Sequence, residues 1–94
     1  MNKAELIDEL ANRAGLAKTD AARAVEAMFG MDGIIVDALR GGAKIQLTGF
    51  GSFQARPRAA RTGRDPRTGN AIQIKASVQP VFKAGQGFKD ALNP

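Results

Sequence analysis

The segment RPRAARTGRDPRTGN, residues 56–70, sets arginine at positions 56, 58, 61, 64 and 67. Among them stand a single acid, two prolines and two glycines, and nothing apolar larger than alanine. A guanidinium keeps its charge at any physiological pH, and its planar fork of donors suits phosphate oxygens and the acceptor edges of a nucleic-acid groove. Arg56 and Arg58, two residues apart, fall on one face if the chain is extended. Asp65 before Pro66, with Gly69 after, is good turn chemistry. The segment is therefore either a disordered basic loop or two strands running past the core as a hairpin arm; the strand-like alternation on both sides selects the arm. With nothing to bury, such an arm is expected to move until a partner holds it.

Other chemistries are poorly supplied. The 94 residues contain no cysteine and no histidine, which removes disulfides, thiol catalysis and the commonest general base and metal ligand. Glu5, Asp8 and Glu9 lie on or near one helical face, but without His, Cys or a pocket signal they read as surface charge. No enzyme, metal site or cofactor is expected. Residues 1–50 hold six Lys/Arg against seven Asp/Glu, whereas residues 51–94 hold eight against two, within a net charge of +5. A near-neutral front and a basic back point to a partner of concentrated negative charge. The acidic amphipathic start MNKAELIDEL does not read as a signal peptide. No apolar run approaches the ~18 residues of a membrane span, so a cytoplasmic location is expected.

The elements that must position these arginines follow from periodicity. Asn2 can cap a helix reaching about Ala14, with Glu5 three residues on and Leu6, Ile7, Leu10, Ala11 and Ala14 as its apolar stripe. Gly15 ends it. A second helix begins near Lys18 with Ala21, Val25, Met28 and Phe29 on one face, and the stripe resumes at Ile35, Val36 and Leu39. A straight helix would put Asp32 and Gly33 on that face. The pattern predicts one long helix kinked or widened around Gly30–Gly33, with two shorter pieces as the alternative. Lys44–Thr48 and Ala71–Lys75 alternate like half-buried strands, and TGFGSF is a tight turn into a strand carrying Phe53. Pro80 and Phe82 lead into a short helix from about Ala84 to Leu92, with Phe88 and Leu92 inward. Consecutive strands imply an antiparallel meander in an α+β fold. Phe50, Phe53, Phe82 and Phe88 are expected in the core, and the absence of Tyr and Trp argues against a base-stacking RNA platform.

GFGSF, then RPRAARTGRDPRTGNAIQI, then PVFKAGQGFKDAL resemble the HU / integration-host-factor family of bacterial histone-like, DNA-bending proteins. MNKAELIDELANRAGLAKTDAARAVEAMF is similar to the family's opening two helices, so the resemblance spans essentially the whole chain. It implies one domain over residues 1–94. Residues 1–42 would form a helical dimerisation part, 43–82 a three-stranded antiparallel sheet with a long β-hairpin arm at about 56–72, and 83–94 the C-terminal helix. It also implies an intertwined homodimer, here with Phe29, Leu47, Phe50 and Phe53 in the shared core. A core of only ~75 residues makes help from a second copy physically reasonable.

The resemblance further implies nucleoid-associated, largely sequence-independent binding and bending of double-stranded DNA. Arg56, Arg58, Arg61, Arg64 and Arg67 would line arms lying in the minor groove. Pro66 would wedge between base pairs, at an unstacking cost of a few kcal/mol offset by the contacts that bent DNA makes. Lys75, Lys83, Lys89 and Lys3 would contact flanking phosphates, and the Gly49–Gly51 turn would offer backbone amides to phosphate. The MNKAELI start and the absence of a C-terminal extension favour HU over the alternative, an integration-host-factor-like subunit of a site-specific heterodimer. A basic RNA- or ribosome-associated module is the third reading.

Several positions depart from the family pattern. About three extra residues fall between Phe29 and Leu39; three residues turn a helix by roughly 300°, about 60° short of a full turn. Ala17 stands where a capping serine is frequent, a loss of ~1 kcal/mol. Lys75 replaces a frequent proline. Gln86 replaces a frequent lysine, which predicts one flanking phosphate contact fewer and a shorter footprint on DNA. Pro57 removes a strand N–H, so the arm's base is expected to be unpaired or bulged there.

Overall fold

The computed structural model describes residues 1–94. It divides into a helical unit, residues 1–41, and a sheet unit, residues 42–94. The helical unit holds α1 (Lys3–Ala14), α2 (Lys18–Phe29) and α3 (Ile34–Arg40). Asn2 caps α1 through its side-chain oxygen, which accepts the Glu5 N–H at 2.9 Å. Ala17 precedes α2 and gives it no side-chain cap.

The long kinked helix is not formed; the shorter-pieces alternative is what the structure shows. The chain turns at Gly30–Gly33, closed by the Gly33 N–H donating to the Gly30 carbonyl at 2.8 Å, and α3 restarts with the Asp37 N–H on the Gly33 carbonyl. A Cβ on Gly30 would stand 2.6 Å from the Glu26 carbonyl oxygen, and one on Gly33 would stand 2.8 Å from that of Ala27. Only two glycines let the backbone fold back this closely on the end of α2. The same pair weakens a continuous helix by about 1 kcal/mol each relative to alanine. The break keeps Asp32 exposed and off the apolar stripe.

The sheet unit holds β1 (Ile45–Leu47), β2 (Gly51–Arg58), β3 (Arg61–Arg64), β4 (Ala71–Ile74), β5 (Ser77–Ala84) and α4 (Gln86–Leu92). β1, β2 and β5 make an antiparallel three-stranded sheet, and β3 and β4 make a separate two-stranded one. The third body strand is thus β5, whereas the alternating segment at 71–74 belongs to the arm. β2 and β5 stay in one-to-one register from Gly51↔Ala84 to Arg58↔Ser77.

Pro57, expected to be unpaired or bulged, is neither: the register runs through it without interruption. Pro57 faces Val78, and two steps away Pro80 faces Ala55. Positions two apart along an antiparallel ladder are of the same kind, and here they are the kind whose N–H groups point out of the pair. Both prolines therefore remove donors that this pairing does not use.

Directly paired residues share a face. Phe53/Phe82, Ala55/Pro80 and Pro57/Val78 make one face apolar. The Phe82 ring reaches across to Gly51, where a Cβ would meet its Cζ at 2.6 Å and the Lys83 carbonyl oxygen at the same distance. Phe88 of α4 stacks on Phe50 with ring centroids 4.8 Å apart, and Phe53 lies 4.8 Å from Phe82, so all four expected phenylalanines do meet. α4 is tied down by the Phe88 N–H donating to the Gly49 carbonyl at 2.9 Å. Leu92, expected inward, is 71% exposed: it is the last residue of α4, about one turn beyond Phe88 and past the ring cluster that Phe88 joins.

No large side chain is fully buried. The buried apolar residues are Ala11, Ala21 and Val25, while Phe29, Leu47 and Phe50 are each about half exposed.

Candidate nucleic-acid interface

Beyond Arg58 and Ser77 the ribbon breaks for two residues on each strand and then resumes, from Arg61↔Ile74 to Arg64↔Ala71. The arm is a hairpin paired in two stretches. Its distal part is held on one face by Ile74, which lies over Gly63; a Cβ there would come within 2.7 Å of the Ile74 Cδ1. On the other face Gln73 Nε2 donates to Thr62 Oγ1 at 3.3 Å.

The tip is a closed turn built on Asp65. The Asp65 N–H donates to the Asn70 carbonyl at 2.8 Å, and the Asp65 carbonyl accepts the Gly69 N–H at 2.7 Å. The side-chain Oδ1 of Asp65 accepts the Arg67 N–H at 2.9 Å. Gly69, at φ 74°, supplies the left-handed residue that brings the chain back. Pro66 sits between these bonds, exposed at the extremity with its φ limited by its own ring.

Register decides which cations act together. Arg56 and Arg58 lie on the polar face of the β2–β5 ribbon, in the same alternating series as Ser52, Gln54 and Lys83. Arg61 and Arg64 lie on opposite faces of the distal ribbon, Arg61 with Ile72 and Ile74, Arg64 with Thr62 and Gln73. A flat surface would use one of those faces; a groove, with walls on both sides, can use both. Arg67 is exposed at the tip, Lys75 in the break between β4 and β5, and Lys89 on α4. Gly49 is exposed in the β1–β2 turn with its carbonyl committed to Phe88.

The ion pairs divide the molecule in two. Every cationic side chain of the helical unit has a carboxylate partner: Lys3 with Glu26, Arg13 with Glu9, Lys18 with Asp8, Arg23 with Asp20 and Arg40 with Asp37. None of the nine in the sheet unit has one. The unit's two acids are engaged elsewhere, Asp65 in the tip and Asp90 with the Gln86 amide at 2.8 Å. Lys3 therefore stands apart from the other proposed contacts, in the helical unit and already paired. Lys44, exposed and unpaired just before β1, is a basic group that sequence reasoning passed over.

An unpaired run of guanidinium and ammonium groups on a two-stranded ribbon with a rigid proline at its end is equipped to grip a polyanion and to press into it. The chain belongs to the bacterial DNA-binding protein family, whose profile matches residues 1–93. Among its relatives, it is 52% identical over 92 residues to DNA-binding protein HU of Geobacillus stearothermophilus, an alignment covering 98% of this chain and 99% of that one. It is 51% identical to DNA-binding protein HU 1 of Bacillus subtilis, over 98% of this chain and 97% of that one. Its fold is similar to the protein in an Anabaena HU–DNA cocrystal structure, with a TM-score of 0.86, 39% identity and coverage of 100% and 99%. HU from Thermotoga maritima matches with a TM-score of 0.65 and 30% identity, covering 98% of each chain.

Proposed function

We propose that this chain works as an HU-type architectural protein, a homodimer that binds duplex DNA with little sequence preference and bends it. The observation that carries this reading is the partition of charge. Nine cations left free in one unit, beside five neutralised in the other, are arranged for an external polyanion and not for the stability of the fold. Arg56, Arg58, Arg61, Arg64 and Arg67 line the groove, Lys75, Lys83 and Lys89 meet phosphates on the flanks, and Pro66 is the wedge. Lys3 joins the flanking set by giving up Glu26, an exposed pair that costs at most about 1 kcal/mol to open. Family membership places the chain among DNA-binding proteins and not enzymes, and a nucleoid location follows from the activity. No helix is long and apolar enough to cross a membrane.

Dimerisation is supported by what a single chain leaves uncovered. Burying a leucine or phenylalanine stabilises by about 1.5–3 kcal/mol, and Phe29, Leu47 and Phe50 have about half of that still to gain, with Phe53 only partly buried. A second copy covering these four residues is the simplest closure of the core.

The test is affinity for a random-sequence duplex measured against salt. The expected slope of log Kobs on log salt is steep, with magnitude near 0.9 per phosphate neutralised. A slope near zero would remove the phosphate-contact mechanism, and a clear preference for structured RNA of equal length would overturn the choice of DNA.

A further inference from the structure

We infer that Asp65 is a specificity-determining residue, one that steers the wedge toward G·C pairs. The inference rests on the reading of Pro66 as the wedge and goes beyond it, since that reading gives the tip no sequence preference. Asp65 is the only acid between Phe53 and Lys89, and it sits immediately before Pro66, where a DNA-binding arm has most reason to avoid negative charge.

Its charge is not cancelled inside the protein. Arg64 and Arg67 flank it along the chain, yet neither guanidinium pairs with it. Only Oδ1 is bonded, to the Arg67 N–H at 2.9 Å, and Oδ2 is left as an unpaired acceptor one residue from the wedge. Half-buried and held by three hydrogen bonds across its backbone and side chain, Asp65 cannot turn away while the tip keeps its shape.

The floor of the minor groove offers such an acceptor one partner. A·T and T·A pairs present only the acceptors A N3 and T O2, whereas a G·C pair adds the guanine N2 amino donor. A carboxylate oxygen beside the inserted proline meets repulsion at an A·T pair and a hydrogen-bond donor at a G·C pair. The arginines pull the other way, toward the narrow and more negative A·T groove. The arm as a whole thus reads little sequence, while the step opened by Pro66 is biased toward a guanine.

The inference predicts a change of sign when Oδ2 is replaced. In Asp65→Asn the amide Oδ1 still accepts the Arg67 N–H and keeps the turn, but the second atom becomes an N–H donor that suits A·T acceptors. The experiment compares affinity and fluorescence-detected bending for two duplexes of one sequence, one with guanine and one with inosine throughout. Inosine lacks only the N2 amino group. The wild-type protein is expected to favour guanine over inosine about fivefold more than Asp65→Asn does, the size of one hydrogen bond, while Asp65→Asn bends DNA as fully as wild type. Equal guanine-to-inosine ratios in the two proteins would overturn the inference, as would loss of bending in Asp65→Asn. Pro66→Ala in the same assay separates the layers. Full bending by that variant removes the wedge reading, whereas lost bending with equal ratios in wild type and Asp65→Asn removes only the role given to Asp65.

Discussion

Gly51 has no side chain because the Phe82 ring and the Lys83 carbonyl occupy the space where one would begin. Gly51→Ala is expected to lower stability by about 1–3 kcal/mol through forced displacement of Phe82, seen as a lower thermal midpoint. At Pro66 the expectation is reversed. Nothing in the fold rests on its exposed ring, so Pro66→Ala should melt near wild type and bend DNA less, its bending falling more than its affinity; equal losses of both would count against insertion. The arginines were legible as a concentrated cationic set from type and spacing; the groove-lining role proposed for them came with the family resemblance. Asp65 was legible only as a turn former, because the bonding of Oδ1 and the freedom of Oδ2 are matters of side-chain geometry. Lys44 was hidden by the near-neutral stretch it ends, where its lack of an acidic neighbour in space has no linear signature.

Among the elements, the arm was the easiest to read. A segment that can bury nothing, set between alternating residues, has few folded forms open to it, and the β3–β4 ribbon is one of them. The β5 strand was harder, since Pro80 argues against a strand until its register shows that the missing N–H points outward. At the α2–α3 break the apolar pattern is compatible with a kinked helix or with two shorter pieces. Periodicity alone could not choose, because the deciding distances run from Gly30 and Gly33 to the carbonyls of Glu26 and Ala27. Trypsin offers a test at this scale. DNA should protect the bonds after Arg58, Arg61, Arg64 and Arg67 while leaving cleavage at Lys18 and Arg23, in the helical unit, at its unbound rate. Equal protection everywhere would deny the arm its special role. Fragment masses over a time course decide the matter.

For the whole molecule, fold class and chemistry were both legible because charge and hydropathy separate so cleanly along the chain. The assembled core was not, since it depends on surfaces that one chain leaves open. Mass action gives the corresponding prediction: the thermal midpoint should rise with protein concentration, and Phe50→Ala should steepen the need for concentration by removing a ring shared with Phe82 and Phe88. A midpoint independent of concentration over a hundredfold range would count against a core completed by a second copy. That only alanines and one valine make up the buried apolar set also bears on the life of the protein in a cell. In the proposed dimer a lone chain is expected to be marginally stable, so that partners are chosen mainly as the chains fold. Newly made chains that find no companion would then be open to proteases, tying the supply of working molecules to the rate at which two chains meet.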